Sequence, residues 1–270
     1  MKEIKSIIQN QLMNQIHQWD DGVESFADTS MFWRDAKFHV DCLSDEKRIF
    51  EAFEAIDWIS LIKKDCTILD LGSGSGWLTS LLSNYENVKE IYALDANENN
   101  LLEFMPKVVS VMNGNDLKIQ PVLGVFDNLE HLGTKFDLIV ASASVHHSDN
   151  IQKTLASCKS ALKKDGKLII LNEFPSSKLR YIFRVTKNFI KIIQNVLKEN
   201  FTYETPLISS HEIIYNRTLG DRTYCHEQYI AYIKNAGFDV ETINLKYGNK
   251  TEDKQMFGGQ RYTHFICSSR

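Results

Sequence analysis

Short apolar runs alternate along the chain with segments in which apolar residues recur every three to four positions. The runs have the length and β-branched content of buried strands, and the longer spacing is typical of helices that bury one face. The apolar runs occupy residues 66–71, 88–94, 119–126, 136–143 and 167–171. This alternation predicts an α/β fold with a mostly parallel, doubly wound sheet.

The first of these runs ends in a glycine-rich turn. An acid, three alternate glycines and an aromatic residue follow as Asp70, Gly72, Gly74, Gly76 and Trp77. Glycine adopts backbone conformations that other residues avoid and lets a ligand approach the main chain closely. The dinucleotide fingerprint needs a glycine where Trp77 stands, so the pattern disfavours a bound dinucleotide. We predict a ligand-binding corner at the carboxyl end of this strand, with a purely structural turn as the alternative.

A second acid, Asp95, ends the next run, 23 residues after Gly72. That interval is close to the ~20 residues that separate a glycine-rich turn from the acid that holds a ribose. A carboxylate can accept hydrogen bonds from both ribose hydroxyls, so an adenosine-type ligand is predicted. The alternative is that this acid caps the helix that starts near Asn97.

The acid-x-Gly-x-Gly-x-Gly pattern resembles the first motif of the class I S-adenosylmethionine-dependent methyltransferases, and the resemblance extends over residues 45–173. It implies S-adenosylmethionine as cofactor and S-adenosylhomocysteine as product. It also implies a Rossmann-like sheet of seven strands that closes with an antiparallel hairpin at 240–245 and 263–267. The implied cofactor-binding residues are Asp70, Gly72, Ser73, Gly74, Gly76, Asp95, Ala96, Asp127 and Ala141.

Two later segments extend this resemblance. Asp127 ends the third run, where the family places an acid that reads the adenine amino group, although Asp127 before Asn128 also suits an ordinary turn. Residues 136–149 resemble the family's fourth motif, a strand followed by a histidine-containing loop. By that match the Ala141 carbonyl faces the cofactor, and His147 occupies the position of the family's usual histidine.

Methyl transfer from a sulfonium chiefly needs an aligned nucleophile and a site without water. An alcohol acceptor also needs a general base, and His147 and His146 are the candidates because imidazole titrates near neutrality. Either histidine could instead only hydrogen-bond the backbone or line the pocket. A metal site made of His147, Asp149 and Asn150 lacks a further partner elsewhere, so no metal is expected.

Composition narrows the class of protein further. With 270 residues, 43% of them hydrophobic, the chain can bury the core of one elaborated domain, and it has no internal repeat. No apolar run reaches the ~18 residues that span a bilayer, and the polar start lacks a signal-peptide pattern, so a cytoplasmic location is expected. The five scattered cysteines suit reduced thiols. A net charge of −4 argues against a long nucleic acid as the main partner.

Three further regions surround the cofactor-binding core at 45–173. Residues 1–44 are expected to form a helical segment whose aromatic end covers the site as a lid, or else simply packs on the sheet. A helical substrate insertion is expected at 174–222, and residues 223–270 are expected to complete the sheet with a helix and strands. The aromatic residues of the expected lid are Phe26, Phe32, Trp33, Phe38 and His39.

Residues 174–198 contain six basic residues and no acid, and their apolar residues fall mostly on one helical stripe. Three interpretations stay open: a solvated face with a docked apolar side, a site for an anionic substrate, and a helix on an anionic membrane surface. The second interpretation favours an acceptor with phosphate or carboxylate, held by guanidinium groups. The candidate side chains are Arg34, Arg180, Arg184 and Arg222.

The predicted activity is O-methylation of a small metabolite, which in the anionic version is phosphorylated or nucleotide-linked. Similar enzymes occur in bacterial surface-polysaccharide and natural-product pathways, a step that rests on analogy. The Asn/Asp-Pro-Pro-aromatic tetrapeptide typical of methylation at exocyclic amines of nucleic acids is missing, since residues 141–144 read Ala-Ser-Ala-Ser. RNA methylation and a non-catalytic cofactor-binding protein are the alternatives.

Overall fold

The strands of the protein form one large mixed sheet and one small antiparallel sheet. The computed structural model describes residues 1–7, 31–45, 49–127, 129–197, 207–209, 212–216, 221–246 and 261–270. The strands are β1 Lys5–Ser6, β2 Cys66–Leu71, β3 Val88–Asp95, β4 Ile119–Leu123, β5 Phe136–Ser142, β6 Leu162–Glu173, β7 Leu207–Ser209, β8 Glu212–Asn216, β9 Asp221–Arg222, β10 Phe238–Lys246 and β11 Arg261–Ser269. Among the described residues the large sheet has eight strands in the order β1-β4-β3-β2-β5-β6-β11-β10. All pairs from β1 to β6 are parallel, and β11 and β10 add the antiparallel hairpin.

Helices connect the parallel strands and cover the sheet. They are α1 Ala36–Asp45, α2 Ile49–Glu54, α3 Trp58–Leu61, α4 Trp77–Ser83, α5 Met105–Val111, α6 Ile151–Ala161, α7 Lys178–Leu197 and α8 His226–Asn235. A π-helical segment at Asn100–Phe104 leads into α5. The described chain thus has the doubly wound architecture that the apolar runs predict.

Alternate residues of the central strands belong to two separate hydrophobic cores. Leu69 and Leu71 of β2 join one buried cluster together with Ile139 of β5. Ile68 joins the other cluster together with Leu138. Because side chains alternate across a strand, the two clusters lie on opposite faces of the sheet. Burial on both faces explains why the strands read as continuous apolar runs.

The first residues of the chain depart from the helical expectation for residues 1–44, because Lys5–Ser6 form a strand, whereas residues 36–44 are helical in α1. β1 pairs in parallel with β4, and the N–H of Ile7 donates to the Leu123 carbonyl at 3.1 Å. β4 would otherwise be a sheet edge with unpaired main-chain groups, which an extended segment satisfies and a helix does not. Ile7 is buried against Gly124, where an added Cβ would lie 2.6 Å from Ile7 Cγ1. Residues 8–30 lie outside the described residues.

The segment expected as a helical insertion is helical only in its first part. α7 begins after β6 as the apolar stripe predicts, but β7, β8 and β9 then form a three-stranded antiparallel sheet. These strands have two to five residues each, too few for a periodic pattern to separate them from loop. The expected antiparallel C-terminal hairpin is confirmed: α8 is followed by Gly237 at φ +86° and by β10 and β11, which pair antiparallel.

Candidate active site

The glycine-rich turn between β2 and α4 is fastened to β3. The N–H groups of Gly72 and Ser73 both donate to the Leu94 carbonyl, at 2.8 and 2.9 Å. Gly72 and Gly76 have φ values of +77° and +78°, a region that strains other residues. A Cβ added at Gly76 would lie 2.3 Å from Met105 Cγ. These two glycines are therefore required by the packing of the turn itself.

Gly74 lies between them and has a different environment. Its φ is +51°, but an added Cβ would have no neighbouring atom within 4 Å. Its N–H donates to Asp95 Oδ2 at 2.8 Å, and the N–H of Asn97 donates to Asp95 Oδ1 at 2.9 Å. Asp95 therefore makes the local turn contact near Asn97, and each of its oxygens keeps a second lone pair for a ligand. Burial raises the pKa of Asp95, while the two N–H donors favour its ionised form.

Asp70 lies at the carboxyl end of β2 and also lines the cavity. It is almost completely buried, and its Oδ2 accepts a 2.5 Å hydrogen bond from the Thr79 hydroxyl. Burial raises the pKa of Asp70 to about 7, against the opposing effect of the Thr79 hydrogen bond. Asp70 is thus buried and holds the Thr79 hydroxyl, whereas Asp95 is half-buried and accepts from two main-chain N–H groups.

These groups surround a cavity of about 390 Å³. Ser73 and Asn97 line it and are themselves buried. Within the described part of the chain, neither the Ser73 hydroxyl nor the Asn97 side-chain Nδ2 has a hydrogen-bond partner. Since buried polar groups are normally paired, these two atoms mark positions where a polar ligand would bind.

Aromatic residues that lie between β1 and β2 in the sequence line the same cavity. Phe32, Trp33 and His39 are joined there by Leu43 and Ile49. The His39 ring lies 4.1 Å from that of Phe32, and its Nδ1 is 2.9 Å from the Phe32 carbonyl oxygen. A carbonyl only accepts, so Nδ1 carries the hydrogen and Nε2 is the basic nitrogen of the neutral ring. The cavity therefore has an aromatic wall in addition to the glycine-rich turn.

Other members of the expected lid are elsewhere. Phe38 and Arg34 are exposed and do not line the cavity. Phe26 lies outside the described residues. Of the five aromatic residues considered for the lid, three therefore reach the cavity in the described structure.

The two adjacent histidines differ in what they contact. His147 lines the cavity, whereas the described cavity wall does not include His146. His146 Nδ1 lies 2.9 Å from Glu173 Oε2, and Tyr229 donates its hydroxyl to the same oxygen at 2.7 Å. Burial alone would raise the pKa of Glu173, but the charge and hydrogen bond of His146, with the Tyr229 hydroxyl, outweigh it and lower that pKa. The structure thus makes His146 a partner of a buried carboxylate.

Sequence reasoning missed Glu173 as part of the site. It ends β6 as Asp95 ends β3, so an acid at the end of a strand was an available signal. Its contact with His146 spans 27 positions of the chain, which no local motif reveals.

The remaining predicted cofactor residues lie in or next to the cavity. Ala96 and Asp127 line it. Asp127 also pairs with Lys153, whose Nζ is 2.9 Å from Oδ2. Ala141 is buried inside β5, and the following residue, Ser142, lines the cavity.

Of the four arginines proposed for substrate binding, the structure describes the side chains of Arg34 and Arg222, and neither of these lines the cavity. Arg222 donates through Nη2 to Asp149 Oδ1 at 2.9 Å and through Nη1 to the His147 carbonyl at 3.3 Å. It therefore braces the loop that carries His147. Arg180 and Arg184 belong to α7, but their side chains lie outside the described part of the structure, and Arg34 is exposed.

Known proteins of similar sequence are methyltransferases. Residues 69–170 match the model of a methyltransferase domain. The chain is 28% identical over 179 residues to the ubiquinone/menaquinone biosynthesis C-methyltransferase UbiE of Wigglesworthia glossinidia brevipalpis, covering 62% of this chain and 69% of that protein.

Solved structures share the fold. The Burkholderia thailandensis 1,6-didemethyltoxoflavin-N1-methyltransferase, crystallised with 1,6-didemethyltoxoflavin and S-adenosylhomocysteine, matches 98% of this chain and 92% of its own, with a TM-score of 0.57 and 16% identity. An O-methyltransferase from neocarzinostatin biosynthesis, with S-adenosylhomocysteine and 1,4-dihydroxy-2-naphthoic acid, matches 87% of this chain and 57% of its own, with a TM-score of 0.51 and 15% identity.

The matched domain at 69–170, the strand order and the glycine-rich turn together support a class I S-adenosylmethionine-dependent methyltransferase. The protein is an enzyme of that class, and its cofactor is S-adenosylmethionine. The residues fit that cofactor, because Gly74 leaves space at the turn and Asp95 keeps acceptor capacity for hydroxyl groups. The unpartnered polar atoms of Ser73 and Asn97 provide further positions for its polar groups.

Proposed function

We propose that the protein transfers the methyl group of S-adenosylmethionine to a hydroxyl oxygen of a small molecule with a flat, largely apolar ring. The observation that carries this proposal is the aromatic wall of Phe32, Trp33 and His39, which lines the same cavity as the glycine-rich turn. Aromatic side chains favour offset or edge-on contact with a flat ring. The polar atoms of this wall are few, so the body of the acceptor is expected to be apolar.

Proteins of similar sequence or fold support a ring-shaped acceptor. One has 1,6-didemethyltoxoflavin bound, another has 1,4-dihydroxy-2-naphthoic acid, and a third acts in ubiquinone and menaquinone biosynthesis. They are named as N-, O- and C-methyltransferases respectively, so they do not select the acceptor atom. Our choice of oxygen rests on His147, since a hydroxyl is the acceptor that most needs a nearby base.

In this proposal the cofactor supplies an electrophilic methyl group when bound, and the protein aligns the acceptor with it. Asp95 would accept the ribose hydroxyls, Asp127 would receive the adenine amino group, and Ser73 and Asn97 would bind polar groups of the cofactor. His147 would take the proton of the acceptor hydroxyl. The remaining task is to exclude water, for which the aromatic wall is suited.

Methylation of an anionic acceptor is the alternative form of the same activity. Among the described residues that line the cavity there is no lysine or arginine, and Arg222 is engaged with Asp149. That composition favours a neutral ring over a phosphorylated or nucleotide-linked metabolite. It also disfavours RNA, whose backbone would require a basic approach to the site.

The test is a turnover assay of the full chain with a panel of hydroxylated aromatic compounds, their phosphorylated counterparts and a short RNA, followed by S-adenosylhomocysteine release. Neutral ring acceptors are expected to react. Release of S-adenosylhomocysteine with RNA alone, or with phosphorylated compounds alone, would reject the proposed acceptor class.

His147→Asn should lower kcat at least 100-fold with the cofactor Kd unchanged, whereas His131→Asn, on an exposed turn, is the control. A loss confined to His39→Asn would instead assign the base to His39.

A further inference from the structure

Helix α7 presents a continuous apolar stripe to solvent. Its residues Leu179, Ile182, Phe183, Phe189, Ile190, Ile193 and Leu197 are between 42% and 78% exposed. They recur at three- and four-residue spacing, so they share one face of the helix. Exposed apolar residues elsewhere, such as Ile59 and Leu117, stand singly. Exposed apolar residues along most of a 20-residue helix form an interaction surface, because contiguous apolar patches of this kind mark such surfaces.

The opposite side of α7 holds the helix on the protein. Tyr181 and Val185 are half-buried, and Gln228 of α8 contacts the Tyr181 hydroxyl at 3.4 Å. Lys178 pairs with Glu227 at 3.4 Å, also on α8. The helix is thus attached near its first turns, and this attachment leaves the stripe outward.

The charge of the segment selects among possible partners. Residues 174–198 carry six basic residues and no acid, within a chain whose net charge is −4. If two copies packed their stripes together, both sets of basic residues would meet without any acid from either helix. An anionic lipid surface instead receives the apolar residues among its acyl chains and neutralises the basic residues at its headgroups.

We propose that α7 is an interfacial helix that docks this enzyme on an anionic membrane surface. The helix lies along the surface and does not cross it: among the described residues no helix is long and apolar enough to span a bilayer. At 1.5 Å per residue, its 20 residues give about 30 Å of contact. The inference is independent of the acceptor proposed above, since it rests on a face of the protein outside the described cavity wall.

The experiment is vesicle co-sedimentation of the full chain with phosphatidylcholine vesicles that contain half phosphatidylglycerol, and with pure phosphatidylcholine vesicles. We expect binding to the anionic vesicles that falls at least tenfold on pure phosphatidylcholine and also falls in 0.5 M salt. Ile182→Gln, Ile190→Gln and Ile193→Gln together should abolish it, because glutamine keeps helix propensity but removes the apolar stripe. Lys187→Gln with Lys191→Gln should weaken it about tenfold or more.

A matched control is Ile59→Gln with Leu117→Gln, which removes exposed apolar side chains away from α7 and should leave vesicle binding unchanged. Circular dichroism and cofactor binding confirm that every variant is folded. Equal binding to both vesicle types would overturn the electrostatic part of the proposal. Absence of binding to the anionic vesicles would overturn the proposal entirely. In that event, a dimer in sedimentation velocity that the triple glutamine variant abolishes would assign the stripe to contact between two copies.

Discussion

The glycine-rich turn and the aromatic segment at 32–49 line one cavity. The turn contributes mainly its main chain, whereas the aromatic segment contributes side chains. The turn leaves space over Gly74, and the Gly74 N–H holds the Asp95 carboxylate in place; both features are set by backbone angles. The aromatic segment offers the side chains of Phe32, Trp33 and His39. Main-chain recognition depends on a few glycines and strand ends, whereas side-chain recognition can change at each position. We therefore expect the glycine-rich turn to govern cofactor affinity and protein stability, and the aromatic wall to govern the choice of acceptor.

The largest effect is expected at Gly76, which belongs to the turn but faces the protein. Gly76→Ala introduces a Cβ 2.3 Å from Met105 Cγ at a φ of +78°. Backbone strain and overpacking together should lower the free energy of unfolding by about 4 kcal/mol. Denaturant unfolding measures this loss. Gly133→Ala, at φ +67° with open space around it, is the matched control and should cost about 1 kcal/mol. Equal losses in the two variants would contradict the packing argument.

The next effect concerns the pH dependence of stability that arises from Asp70. Burial raises the pKa of Asp70 from 3.8 to about 7, so the folded state retains a proton that the unfolded state has lost. The free energy of unfolding should therefore fall between pH 4 and 7, by about 3 kcal/mol. Asp70→Asn should flatten that slope, as measured by urea unfolding across pH.

Glu173 gives the opposite dependence. Its pKa is lowered, so its stabilisation is present above the unfolded value of 4.5 and is lost as pH falls through the folded value. Glu173→Gln should remove about 2 kcal/mol at neutral pH and much less in acid. The same change at both pH values would show that the ionic contact with His146 contributes little.

Gly74 should separate binding from stability. Gly74→Val places a side chain in open space at the turn, which should weaken S-adenosylhomocysteine binding about 100-fold. Stability should fall by only about 1 kcal/mol from the positive φ. Isothermal calorimetry and thermal unfolding measure the two quantities. Gly133→Val imposes similar backbone strain away from the cavity and should leave binding unchanged. Unaltered affinity in Gly74→Val would exclude the cofactor from this part of the cavity.

The smallest effect is expected in the aromatic wall. Phe32→Ala should raise the acceptor KM about tenfold, because one ring contact is lost, and leave the cofactor Kd unchanged. Steady-state kinetics with a reactive ring acceptor tests this. Phe38→Ala, which removes an exposed ring of the same helical region, should alter neither constant. An equal rise in cofactor Kd for Phe32→Ala would mean that the two walls do not divide their tasks.

The glycine-rich side of the cavity could be predicted from the sequence, because it depends on local chain geometry. Asp70, the alternate glycines and Asp95 follow one another within two strand-turn-helix units, so their spacing alone indicates the corner of the sheet. Contacts between distant segments were not predictable in this way. β1 pairs with β4 across more than 100 positions, and its two residues carry no strand pattern. Glu173 meets His146 only because β5 and β6 are neighbours in the sheet.

The aromatic wall was predictable only in part. An aromatic cluster was evident at 26–39, but the pattern does not distinguish Phe32, which lines the cavity, from Phe38, which is exposed. The small sheet of β7, β8 and β9 was missed because its strands are short. Arginine composition gave an anionic site as one of three interpretations, and it could not reveal that Arg222 braces a loop through Asp149.

Asp95 illustrates how a carboxylate that is ordered by folding affects binding thermodynamics. Both of its carboxylate oxygens are already fixed by main-chain donors, from Gly74 and from Asn97. A ligand hydroxyl therefore meets an acceptor that loses little conformational entropy on association. The ordering occurs when the chain folds, so ligand binding and turn rigidity are thermodynamically linked: a bound ligand should slow amide hydrogen exchange at Gly74 by stabilising a contact that is already present.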